Sequence, residues 1–240
     1  MCKDFFIIAG PCSVESETQM EEVFNSLSKV KEVVAIRGGA FKPRTNPESF
    51  QGLKDKGIDI LVDKKQKYNM PIVTELMDVR NIDLFKDVDV IQIGARNMQN
   101  YSLLVAAAKL NKPILLKRGF GNTIDELLAS ADYIKKAGND KIILCERGIR
   151  TFENSTRFTL DISAVCVLKD KCDYPVVIDP SHASGNRDYV LALSRAAKAV
   201  GADGLIIEVH PNPDEALSDK DQQVTIEGFM DIIDSLKTIN

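Results

Sequence analysis

The chain has 240 residues, 44% hydrophobic and 28% charged, which suits one sizeable core and argues against disorder or a membrane span. A formal net charge of -4, from 31 Lys and Arg against 35 Asp and Glu, argues against nonspecific nucleic-acid binding but permits a local basic pocket. The 5 cysteines, Cys2, Cys12, Cys145, Cys166 and Cys172, are odd in number and lack CxxC spacing, and the N-terminal MCKDFFIIAGP has too short an apolar core for a secretory signal, so a reducing, cytoplasmic setting is expected.

Short β-rich runs alternate with longer amphipathic ones along the chain. Phe5–Ile8 reads as a strand, Glu17–Lys31 as a helix and Val33–Ile36 as a buried strand. Asn46-Pro47-Glu48 reads as a helix start, with helix expected from Phe50 to Tyr68. Further strands are expected at Ile72–Leu76, Val88–Ile93, Pro113–Lys117, Lys141–Glu146, Pro175–Asp179 and Gly204–Val209. Helices are expected at Asn81–Lys86, Tyr101–Leu110, Ile124–Ala137, Phe158–Leu168, Asp188–Val200 and Thr225–Lys237. Eight apolar strands separated by helices read as parallel strands closing into a single (β/α)8 TIM barrel over residues 1–240, with an open doubly wound sheet as the alternative. No linker, low-complexity tract or shift in composition marks an added regulatory domain.

Barrel geometry sends residues at or just after each strand's C-terminal end to one mouth. Those residues are Cys12, Arg37 with Lys42, Glu75, Arg96, Lys117 with Arg118, Glu146 with Arg147, Asp179 with His182, and Glu208 with His210. In the stretch RGGAFKPRTNPESFQG, Arg37 to Gly52, the cations Arg37, Lys42 and Arg44 stand close together beside glycines and prolines, and guanidinium forks match phosphate or carboxylate oxygens. Lys42-Pro43-Arg44 alone would pass as a solvated basic loop; its position after a buried strand favours a pocket. With Arg96, Lys117 and Arg147 these cations would repel one another unless a polyanion sat among them, so the expected ligand carries phosphate and carboxylate together. Ion pairs to Glu75, Asp78, Glu146 or Glu153 would neutralise one or two of them.

A second subset is Cys12, His182, Glu208 and, in the loop after the last strand, Asp219. Thiolate, imidazole and carboxylates together suit one divalent ion such as Mn, Fe, Co or Zn better than Mg or Ca. The four share no short spacing, and a cysteine after Gly-Pro is often just a small buried side chain, so the group depends on the barrel being right.

At these residues the chain resembles the 3-deoxy-D-arabino-heptulosonate 7-phosphate (DAHP) synthases of the type I beta subgroup. The resembling segments are Ala9-Gly-Pro-Cys-Ser-Val-Glu-Ser16, Arg37 to Gly52 with its Lys42-Pro-Arg-Thr45 core, Ile93-Gly-Ala-Arg96 and Lys117-Arg-Gly119. They continue through Cys145-Glu-Arg-Gly148, Thr151-Phe-Glu153, Asp179-Pro-Ser-His-Ala-Ser-Gly185, Glu208-Val-His-Pro211 and Ala216-Leu-Ser-Asp-Lys-Asp-Gln222. The resemblance implies a transferase that condenses phosphoenolpyruvate with erythrose 4-phosphate and water, releasing phosphate at the head of the shikimate route to aromatic amino acids, with one divalent metal ion required. It implies Cys12, His182, Glu208 and Asp219 as metal ligands. It assigns phosphoenolpyruvate to Arg37, Lys42, Arg96, Lys117 and Arg147, and the aldose phosphate to Arg44 and Thr45.

That chemistry needs an activated aldehyde, because the enol carbon of phosphoenolpyruvate is a weak nucleophile. Lys42 is the leading candidate for the proton donor to the nascent alkoxide, and Glu146 is a candidate to position the attacking water. His210, two residues after Glu208, is expected to support the ligands rather than fill core. The nearest rival is 3-deoxy-D-manno-octulosonate 8-phosphate synthase, which resembles Lys-Ala-Asn-Arg-Ser where this chain has Lys42-Pro43-Arg44-Thr45; a catalytically silent phosphometabolite-binding barrel is the rival from another class. The first strand begins almost at once, whereas relatives generally carry a leading strand or a fused module. That places direct feedback control in doubt and leaves room for a separate chorismate mutase. The resemblance also implies self-association, as a dimer or tetramer.

Overall fold

The computed structural model of the chain describes residues 5–42 and 46–239. Its strands are β1 (Phe6–Gly10), β2 (Val33–Arg37), β3 (Ile72–Glu75), β4 (Val90–Ile93), β5 (Ile114–Lys117), β6 (Ile142–Glu146), β7 (Val176–Ile178) and β8 (Gly204–Glu208). All pair in parallel with their sequence neighbours, and β1 pairs with β8 from Phe6 opposite Gly204 to Gly10 opposite Glu208. That last pairing closes the cylinder and rules out the open sheet.

The outer layer consists of α1 (Glu17–Leu27), α2 (Asp55–Tyr68), α3 (Tyr101–Ala108), α4 (Ile124–Lys136), α5 (Ser163–Lys171), the short α6 (Pro180–Ser184), α7 (Arg187–Ala199) and α8 (Ile226–Leu236). Local chemistry sets their ends. Thr123 and Glu126 form a reciprocal capping box at the start of α4. Asn69, which closes α2, and Asn111, beyond α3, adopt left-handed φ values of 49° and 54°, a conformation Asn tolerates.

Several boundaries differ from the sequence expectation. Asn46 does not open a helix: its side-chain oxygen accepts from the Glu48 N–H in a turn. Gly52 (φ 87°) and Lys54 (φ 55°) then redirect the chain, so α2 starts at Asp55 rather than Phe50. The helix expected from Phe158 begins at Ser163, because Thr159 makes an antiparallel bridge with Ile149 and the Phe158 N–H bonds Ala183 O. The expected helix Asn81–Lys86 overlaps a 3₁₀ segment, Val79–Phe85. The five-residue α6 was not anticipated; Pro180 at its first position and Asp179, whose carboxylate accepts from the His182 N–H, start it.

Alternation along the strands divides the side chains between helix shell and barrel interior. Ile36, Ile91, Leu116, Leu144 and Ile207 face outward into the main core with the helices. Ile8, Ala35, Val73, Leu115, Cys145, Val177 and Ile206 face inward and form one apolar layer. Two residues further along the same strands stand Gly10, Arg37, Glu75, Lys117, Arg147, Asp179 and Glu208, with Gln92 two beyond Val90 on β4. The interior therefore changes from apolar to polar within one side-chain layer, at the mouth.

Gly10 leaves room where that change occurs. Its φ is 144°, and an added Cβ would lie 2.2 Å from the Arg37 carbonyl oxygen. We expect Gly10→Ala to lose about 3 kcal/mol or more in chemical denaturation. Gly121→Ala, where no atom lies within 4 Å of the added Cβ, should change stability by less than about 1 kcal/mol.

Candidate active site

Ion pairs knit the polar layer together. Arg37 donates to Glu208 Oε1 at 2.7 Å, and Lys117 Nζ meets Asp179 Oδ2 at 2.5 Å, with all four side chains almost wholly buried. Burial opposes ionisation of Asp179, but His182 and Lys117 beside it outweigh that and hold the carboxyl well below the usual range. Glu208 is likewise held below its ordinary value, burial being overcome by His182 and Arg37. Gln92 Nε2 donates to Glu75 Oε2 at 3.3 Å.

Cys12 lies in the loop after β1, Glu208 ends β8 and Asp219 sits in the loop beyond it; one donor atom from each lies within 4.8 Å of the others. The Cys12 thiol donates to Asp219 Oδ2 at 3.3 Å, and Lys42 Nζ lies 2.9 Å from Cys12 Sγ. His182 directs Nε2 at the group, 3.4 Å from Glu208 Oε1 and 3.9 Å from Asp219 Oδ2. Its Nδ1 lies 2.7 Å from Asp179 Oδ2. Burial pushes the His182 pKa down, against the pull of Asp179, which favours the neutral ring a metal needs. All four sequence-predicted ligands therefore converge, and a thiol, an imidazole nitrogen and two carboxylates fit a borderline divalent ion.

Next to this group is a cleft of about 360 Å³ walled by Lys42, Glu75, Arg96, Phe120, Arg147, Arg150, Arg157, Phe158, His182 and Asp219. A recess of about 50 Å³ continues inward to Arg37, Gln92 and Lys117. Phe120 and Phe158 stack with their centroids 5.0 Å apart. Arg147 lies 4.1 Å from the Phe158 centroid and 5.0 Å from that of Phe120, while Arg96 and Arg150 approach Phe120 at 5.4 and 5.3 Å. Burial lowers the Arg147 pKa to about 10, which leaves the guanidinium charged at neutral pH. Two wider depressions, of about 660 and 880 Å³, lie away from this chemistry. In the first, Lys64 is already matched by Glu17, Glu21 and Asp63.

Arg37, Lys42, Arg96, Lys117 and Arg147 all reach the cleft or its recess, as the sequence suggested. Arg44 and Thr45 lie outside the described residues. Glu146 is a correction. It follows Cys145 and precedes Arg147, both inward-facing, so it points to the helix shell; Arg118 and the Gly148 N–H take its two oxygens at 2.9 and 2.7 Å. Burial raises its pKa, partly offset by Arg118. His210 does not touch Glu208: its Nδ1 accepts from the Asn212 N–H, and its Nε2 lies 3.5 Å from Glu15. Residues that went unnoticed are Gln92, Phe120, Phe158, Arg150 and Arg157. Counting two forward from each inward apolar residue would have found Gln92, but the others stand in loops without periodicity.

Residues 3–239 match the model of the DAHP synthetase I family. The chain is 53% identical over 236 residues to phospho-2-dehydro-3-deoxyheptonate aldolase of Thermotoga maritima, covering 98% of this chain and 70% of that protein. It is 32% identical to 2-dehydro-3-deoxyphosphooctonate aldolase of Francisella tularensis, covering 99% and 92%. The crystal structure of the Thermotoga maritima aldolase superposes with a TM-score of 0.95, covering 98% of this chain and 69% of that one. A truncated form of 3-deoxy-D-arabino-heptulosonate 7-phosphate synthase from the same organism, 49% identical, gives 0.91 over 98% and 86%.

Burial, reinforced by Glu208, pushes the Cys12 thiol up to about 12, so without an ion it stays protonated through neutral pH. Ligation requires the thiolate, and binding must expel that proton. Because the raised pKa lies above the working range while His182, Glu208 and Asp219 are shifted down, one proton should leave per ion. Affinity for Co²⁺ should then rise about tenfold per pH unit between roughly pH 7 and 8.5. Titration calorimetry in buffers of different ionisation enthalpy checks the proton count, and Cys12→Ser should remove the slope.

Proposed function

Because the chain belongs to the DAHP synthetase I family, we propose that it condenses phosphoenolpyruvate with erythrose 4-phosphate and water, giving 3-deoxy-D-arabino-heptulosonate 7-phosphate and inorganic phosphate. The observation that carries this reading is the contact between the cationic cleft and the donor group: Lys42 Nζ touches Cys12 Sγ at 2.9 Å, so a bound polyanion and a bound ion would be neighbours. When held by Cys12, His182, Glu208 and Asp219, a Mn, Fe, Co or Zn ion supplies Lewis-acid polarisation of the aldehyde carbonyl.

The chain's own residues carry the rest. Arg96 and Arg147 have no carboxylate within salt-bridge distance among the described residues, which supports their binding the phosphate and carboxylate of phosphoenolpyruvate, with Arg37 and Lys117 at the floor. The stacked rings of Phe120 and Phe158 lie beside Arg147, within cation–π distance of its guanidinium. As the methylene carbon of phosphoenolpyruvate bonds to the aldehyde carbon, Lys42 gives a proton to the alkoxide oxygen. Water, giving up a proton, adds to the neighbouring carbon that bears the phosphate oxygen, and the tetrahedral adduct breaks that C–O bond, expelling phosphate and leaving the keto group. Glu75, in the cleft wall, replaces Glu146 as the carboxylate that orients this water. Arg44 and Thr45 would take the aldose phosphate. Residues 1–240 would act as one catalytic barrel, cytoplasmic and self-associating as a dimer or tetramer, with any chorismate mutase a separate chain. No helix of the described residues is long and apolar enough to cross a membrane.

The octulosonate aldolase relatives make the five-carbon aldose phosphate the substrate to test against. Phosphate release from phosphoenolpyruvate should be fast with erythrose 4-phosphate and at least about tenfold slower with arabinose 5-phosphate. A chelator should abolish it and added Mn²⁺ restore it; equal rates with both sugars would reverse the assignment. Lys42→Met should lower turnover by about a hundredfold or more, and near-normal turnover would remove Lys42 from the acid role.

A further inference from the structure

We propose that Gln223 is a positioning residue: its side chain fixes the Asp219 segment against Cys12 and so sets the affinity for a divalent ion, without touching the ion or the substrates. This rests on the reading of Cys12, His182, Glu208 and Asp219 as ligands.

Gln223 is fully buried and lies just past the 3₁₀ turn Lys220–Gln222. Its Oε1 accepts from the Cys12 N–H at 2.8 Å, and its Nε2 donates to the Ser218 carbonyl at 2.8 Å. One planar amide thus joins the backbone of a ligand in the loop after β1 to the residue beside a ligand in the loop after β8. Both of its polar ends are used, and it does not line the cleft.

The Asp219 segment needs such a restraint. Asp219 has φ 46° and ψ 38°, the left-handed region, where the chain does not rest by local preference. The same loop has other attachments: the Ser218 hydroxyl pairs with Ser13 Oγ, and the Leu217 N–H donates to Glu15 Oε1 at 2.9 Å. Without the amide the loop would stay anchored, but the spacing of Cys12 and Asp219 would relax. Neighbouring Gln222 works differently, since it donates directly to Glu208 Oε2 at 2.6 Å and accepts from Arg157 at 2.7 Å.

The test is a titration of metal-free protein with Co²⁺, following the thiolate-to-cobalt absorption, in the wild type, Gln223→Met and Gln223→Asn. Met fills the space without hydrogen bonds, and Asn keeps the amide one methylene short of spanning both partners. Both variants should bind about ten- to a hundredfold more weakly. Asn139→Leu is the control. It removes two partly buried hydrogen bonds at the opposite end of the barrel, to Lys112 O at 2.8 Å and from the Lys141 N–H at 3.0 Å, and should bind Co²⁺ as the wild type does. Should Gln223→Met fail to fold, Gln223→Asn carries the test. Wild-type affinity in a folded Gln223 variant, or equal weakening in Asn139→Leu, overturns the proposal while the ligand reading stands. Absence of the absorption band in the wild type overturns both.

Discussion

Charge neutralisation inside the upper barrel is the constraint on which the site depends. Arg37 and Glu208, and Lys117 and Asp179, are ions with almost no exposure to water. Stranding any one of them by removing its partner costs about 3–5 kcal/mol. Each pair links strand ends two places apart around the cylinder mouth, β2 to β8 and β5 to β7, and is itself held by those strand ends. Pairing also divides the cations into two kinds. Arg37 and Lys117 are matched within the protein, whereas Lys42, Arg96 and Arg147 lack a carboxylate partner among the described residues and keep donors for an incoming anion.

The barrel was legible because continuous apolar runs and their spacing report buried parallel strands directly, and every expected strand exists to within a few residues. The resemblance and the strand-end rule singled out Cys12, His182, Glu208 and Asp219, and the fold places them beside one another. Loop geometry was not legible. The path from Asn46 to Lys54 turns on two left-handed residues, and the Phe120–Phe158 stack joins loops that no local pattern relates.

Glu146 illustrates a subtler failure. A carboxylate at a strand end seemed a sufficient reason for a place in the mouth, but parity decides which way it points. Cys145 belongs to the inner apolar layer, so Glu146 must turn outward and Arg147 inward. Arg118 follows the inward Lys117 and turns outward for the same reason, and the two outward residues find each other at 2.9 Å. The reading of ion pairs had the right number but the wrong partners: two of the pocket cations are neutralised, by Glu208 and Asp179.

The closing contact between β1 and β8 bears on how the protein is made. Cys12 and Asp219 are 207 positions apart, so a ribosome delivers the first donor long before the last. Until the final strand docks, the early thiol has neither its acidic neighbours nor its full wall. An emerging chain thus holds an incomplete donor group, and capture of an ion there would be a late event that rewards completed closure.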